Sequence, residues 1–88
     1  MKIKGSFILR NVAGSHVVLP MGASSAKFSG MLNLNETGVF LWENLKNEIT
    51  EDDLVNAMLA EYNVASEQAR EDVQEFLKTL RDAGVLEE

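Results

Sequence analysis

The sequence predicts a small α+β fold, winged-helix-like, in which a three-stranded antiparallel sheet is followed by three helices. Three observations point there. β-branched and apolar residues crowd the first third of the chain around glycine-containing breaks. Asn35, Thr50 and Ser66 each stand before a run of helical character, as N-cap residues do. Gly84 closes the last run where a left-handed C-cap is wanted. At 88 residues the chain is near the small end of what one core stabilises, so residues 1–88 are expected to form a single domain.

Phe7-Ile8-Leu9-Arg10-Asn11-Val12 and His16-Val17-Val18-Leu19 read as a hairpin across Ala13-Gly14-Ser15. Pro20-Met21-Gly22-Ala23-Ser24-Ser25 reads as a loop, because Pro and Gly punctuate it and small residues fill it. Residues 27–34 form the third candidate strand. Asn35 then caps the first helix, with Glu36 in its first turn against the helix dipole. Val39, Phe40, Leu41, Trp42 and Leu45 surround that helix on nearly all sides, which predicts that it is buried, with Trp42 in the core. Thr50 caps the second helix, followed by Glu51, Asp52 and Asp53, and Asn63 terminates it. Ser66 caps the third, whose apolar stripe is Ala69, Val73, Phe76, Leu77 and Leu80. Met21, Met31 and Met58 read as gap fillers in the core.

Composition narrows the function. With no cysteine, neither disulfides nor thiolate metal sites supplement the core. The start of the chain lacks an apolar run of signal-peptide length and no stretch is long enough to span a bilayer, so a cytoplasmic protein without membrane contact is expected. Fourteen acidic residues against eight basic ones give a formal charge of -6, which disfavours nucleic acid, since phosphate neutralisation supplies most of that affinity. His16 has no nucleophile or carboxylate at a suggestive spacing and reads as an ordinary strand residue. One histidine and scattered glycines give neither a metal cluster nor a phosphate cradle. The sequence therefore reads as that of a non-enzyme with no cofactor.

The third helix offers more. At about 100° per residue its apolar stripe occupies an arc of roughly 100°, and Arg70, Gln74, Lys78 and Arg81 fall within about 80° of one another on the flank beside Leu77. Two readings stay open: a solvated face with i,i+4 charge pairs, or a basic border to an apolar groove that takes an anionic ligand. The strand at 27–34 bears on the same question, because at a sheet edge it could accept an added strand. Each main-chain bond nets only about 1 kcal/mol, against some 2 to 5 kcal/mol for ordering a flexible peptide. Affinity near micromolar, about -8 kcal/mol, would then need apolar anchors from the third helix.

Leu34-Asn35-Glu36-Thr37-Gly38 with Trp42, and Asp72-Val73, Phe76, Leu80 and Gly84, resemble the PqqD-like family, also called RiPP recognition elements. The resemblance implies a three-stranded sheet packed on three helices and no catalytic residues. It implies a peptide chaperone that holds the leader of a ribosomally made precursor peptide, of the pyrroloquinoline quinone, lasso or thioether kind. The leader would be presented to a modifying enzyme such as a radical SAM protein. Carried over by position, it places the leader along Phe28, Ser29, Gly30, Met31, Leu32, Asn33 and Leu34, facing Val73, Leu77 and the band of Arg70, Gln74, Lys78 and Arg81. The expected ligand is then acidic and apolar, and the protein a monomer or homodimer. Two other classes compete. A winged-helix DNA-binding regulator needs a basic recognition helix, and residues 50–62 contain no Lys or Arg. A dimerising scaffold module would use the same exposed edge.

Overall fold

The computed structural model describes residues 1–21 and 32–88. Its elements run β1 (Lys2–Ile3), β2 (Phe7–Val12), β3 (Ser15–Pro20), β4 (Leu32–Leu34), α1 (Glu36–Asn44), α2 (Glu51–Glu61), α3 (Ser66–Asp82) and β5 (Leu86–Glu87). The antiparallel sheet has the order β2-β3-β4, and the three helices pack on it in a winged-helix-like α+β arrangement. Of the third predicted strand, 32–34 are β4, and residues 27–31 lie outside the described residues.

The β2–β3 hairpin turns on two residues. Val12 pairs with Ser15, leaving Ala13 at φ 52° and Gly14 at φ 83°. Positive φ at both central positions is the type I′ signature, whose twist matches that of the flanking strands. The Asn11 Oδ1 accepts from the Gly14 N–H at 3.1 Å. Ser15 and Pro20, assigned from sequence to a break and a loop, both belong to β3, opposite Val12 and Phe7. Alternation then turns Phe7, Leu9, Val18, Leu32 and Leu34 to one face, where they join the core.

Asn35 and Thr50 cap as expected, accepting from the N–H groups of Gly38 and Asp53. The third cap is corrected. Ala65, not Ser66, is the N-cap of α3, and no side chain satisfies that end. Asn63 is not the left-handed residue ending α2, which stops at an extended Tyr62. At the other end of α3 the Gly84 N–H donates to the Arg81 carbonyl and the Val85 N–H to that of Leu80, a Schellman closure with Gly84 at φ 74°.

α3 is the spine of the core. Ala69, Val73, Leu77 and Leu80 have no exposed surface, and they pack with Leu41, Trp42 and Leu45 of α1, Leu54, Val55 and Met58 of α2, and Val18 of the sheet. Met58 fills the core as expected. Met21 does not, being 44% exposed, and Met31 lies outside the described residues. The two-residue strands β1 and β5 pair with each other. The Ile3 N–H also reaches the Leu45 carbonyl and the Lys4 N–H that of Val85, each at 2.9 Å, tying both chain ends to the helical layer. Such short strands leave no periodic signal in a sequence.

Candidate functional site

β4 is an edge. Leu32, Asn33 and Leu34 pair with Val18, Val17 and His16 of β3, and no described strand lies on their other side. Alternate residues of an edge strand direct their N–H and C=O groups outward, which makes the edge a template for a further strand.

Beside this edge runs a cleft of about 380 Å³. β4 forms one wall, and Asp72, Glu75, Phe76 and Thr79 of α3 form the other. Asn35, Thr37, Gly38 and Leu41 of the α1 turn close it between them. Gly38 sets how near the walls come. A Cβ there would stand 3.3 Å from both the Leu34 Cβ and the Phe76 Cε1, and 3.2 Å from the Asn35 Oδ1. The missing side chain lets the Phe76 ring lie across the start of α1 and lets Asn35 fold back onto the Gly38 N–H at 2.8 Å. Phe76, the one member of the predicted stripe that is only half-buried, is turned toward this cleft.

The sequence-derived site residues separate into three groups. Phe28, Ser29, Gly30 and Met31 lie outside the described residues. Leu32, Asn33 and Leu34 line the cleft. Val73 and Leu77 are 0% exposed and offer no surface to a ligand. Arg70, Gln74, Lys78 and Arg81 form the expected band, on the flank of α3 away from the cleft. The Arg70 guanidinium donates to Glu51 and Asp52 of α2 at 2.8 Å each, and the Gln74 amide to Glu51 at 3.2 Å. Lys78 pairs with Asp82 at 3.1 Å, and Arg81 with Glu88 at 3.0 Å. The Arg81 hydrogen bond holds the Glu88 carboxyl below the ordinary carboxylate range.

The cleft residues of α3 absent from that expectation, Asp72, Glu75, Phe76 and Thr79, lie on the opposite flank of the same stripe. At about 100° per residue they span roughly 100° on the far side of the apolar arc from Arg70 and Lys78. Their charge is negative. Among the described residues Asp72 accepts only from the neutral Gln68 amide, at 2.8 Å, and the Glu75 carboxylate has no hydrogen bond or ion pair. Among the described residues no group of His, Cys, Asp or Glu is placed to hold a metal ion, and no helix is long and apolar enough to cross a membrane.

A winged-helix-like α+β unit with an open edge strand set across a cleft from its last helix is the class that this geometry defines. The family model described as Coenzyme PQQ synthesis protein D (PqqD) matches residues 15–86, and the protein belongs to that family. No curated protein matches the chain at a significant level. Two solved structures share its fold. One, described as TbiB1 in complex with the TbiA(beta) leader peptide, superposes with a TM-score of 0.78 at 24% identity, over 99% of this chain and 95% of that one. The other, described as lasso peptide synthetase B1 complexed with the leader peptide, gives 0.73 at 19% identity, over 96% and 93%.

Proposed function

We propose that residues 1–88 form one recognition domain that binds the leader of a ribosomally made precursor peptide as an added strand along β4, and presents it to a modifying enzyme such as a radical SAM protein. The observation that carries this reading is the open β4 edge facing Phe76 across a cleft kept narrow by Gly38. Family membership supports it, as do two structures of the same fold described as complexes with leader peptides.

The energetics suit a two-part grip. Two to four main-chain bonds at about 1 kcal/mol each do little more than offset the ordering of the peptide. Burial of an apolar side chain against Phe76, Leu32 and Leu34 adds roughly 1.5 to 3 kcal/mol per anchor. Main-chain bonds thus set direction and register, and the anchors set affinity. In this role the chain itself breaks and makes no covalent bonds. A DNA-reading role finds no support, because α2, from Glu51 to Glu61, contains four acidic residues and no basic one.

Strand addition has a period-two signature that tests the reading. A fluorescent leader peptide, taken from a short reading frame beside the gene, is N-methylated at one backbone position at a time. Affinity should fall about tenfold or more at alternate positions and stay near the unmodified value between them. Equal sensitivity at every position, or at none, would exclude strand addition.

A further inference from the structure

Resting on that reading, we infer that the cleft selects an extended apolar peptide carrying one or two Lys or Arg side chains, which Asp72 and Glu75 receive. Among the described residues the charge of the lining is one-sided: two carboxylates, four neutral polar residues (Asn33, Asn35, Thr37 and Thr79) and no cation. The cations of α3 are engaged elsewhere, Arg70 by Glu51 and Asp52, Lys78 by Asp82, and Arg81 by Glu88. Among the described residues Glu75 has no charged partner and Asp72 has only the Gln68 amide.

The spacing suits an extended ligand. Asp72 and Glu75 lie three residues apart, so they are neighbours on one face, about 4.5 Å apart along the axis. Side chains on one face of a strand recur every 6.6 to 6.8 Å, roughly, so long Lys or Arg stems at i and i+2 can converge on both carboxylates. A single Arg could also bridge them. Between them and β4 the Phe76 ring, Leu32 and Leu34 provide the apolar contact. An acidic leader would instead bring like charge against carboxylates that no cation among the described residues neutralises.

Panning a random twelve-residue display library on the protein tests this whatever the natural ligand is. Selected peptides should combine apolar residues at alternate positions with Lys or Arg. On the Asp72→Asn, Glu75→Gln double variant the basic preference should vanish while the apolar pattern persists. A selected basic peptide should lose roughly 3- to 10-fold in affinity to that variant, as expected for two half-screened ion pairs. The control variant Glu61→Gln, Glu87→Gln removes the same charge on exposed positions outside the cleft, and should change affinity less than twofold. Selection of acidic or uncharged peptides that shift the amides of 32–34 would overturn the charge inference and leave peptide binding intact. Equal losses in control and double variant would overturn it too, by reducing the preference to net charge. Recovery of no peptide at all would remove both the inference and the reading beneath it.

Discussion

Gly38 is where a single missing side chain determines the shape of the site. Gly38→Ala gains up to about 1 kcal/mol of helix propensity, but its Cβ must displace Phe76, Leu34 or Asn35 by a few tenths of an ångström. We expect unfolding stability to change by less than about 1 kcal/mol while leader affinity falls several-fold. Denaturation and anisotropy on the same variant check this, and unchanged affinity would free the cleft of its dependence on Gly38. Ala13 is a second such position, held at φ 52° where a Cβ is disfavoured. Asn tolerates that region and precedes Gly in favoured I′ turns, so Ala13→Asn should stabilise the protein by about 0.5 to 1 kcal/mol in urea denaturation. At the acid side, the Arg81 bond depresses the Glu88 pKa below its ordinary 4.5. Its contribution is therefore in place above about pH 4.5 and is lost as pH falls through the lower folded value. Arg81→Gln should remove that part of the acid dependence, read as a smaller loss of thermal midpoint between neutral and acid pH.

Among the elements, α3 itself carries two flanks of opposite charge, Arg70, Lys78 and Arg81 on one and Asp72 and Glu75 on the other. Its uncapped start is an opportunity: Ala65→Asp would supply the missing acceptor at the N-cap and should add about 1 kcal/mol of stability, measured by urea denaturation. Its basic flank lies away from the cleft and is engaged by other carboxylates, Arg70 by Glu51 and Asp52 of α2, Lys78 by Asp82 and Arg81 by Glu88. Lys78→Glu should therefore leave leader affinity undiminished, whereas Phe76→Ala should cost tenfold or more. The stripe of Ala69, Val73, Leu77 and Leu80 was legible in the sequence, because 3.6-residue periodicity reports which face is buried. Which flank meets the sheet was not, since a helical wheel carries no information about the hand of the packing. A clue did exist in the acidic first turn of α2, Glu51-Asp52-Asp53, which calls for the basic flank of a neighbouring helix. Asn35, Thr50 and Gly84 were readable because caps act locally. β1 and β5 were not, because their pairing joins residues at opposite ends of the chain.

For the whole molecule, a formal charge of -6 and a cleft lined by carboxylates act in the same direction on an approaching peptide. A basic leader should associate faster at low ionic strength and slow as salt is added, because attraction between exposed charges fades beyond a Debye length of about 10 Å at 0.1 M. On the proposed reading the ligand lies between β4 and the acidic flank of α3. An amide chemical-shift titration of the labelled protein with the leader encoded beside its gene locates the ligand residue by residue. Shifts should concentrate at residues 32–34 and 35–38 and along 72–79, with the amides of α2 from Glu51 to Glu61 unmoved. Shifts centred on α2 and on Arg70, Gln74 and Arg81 instead would place the peptide on the other flank and contradict it.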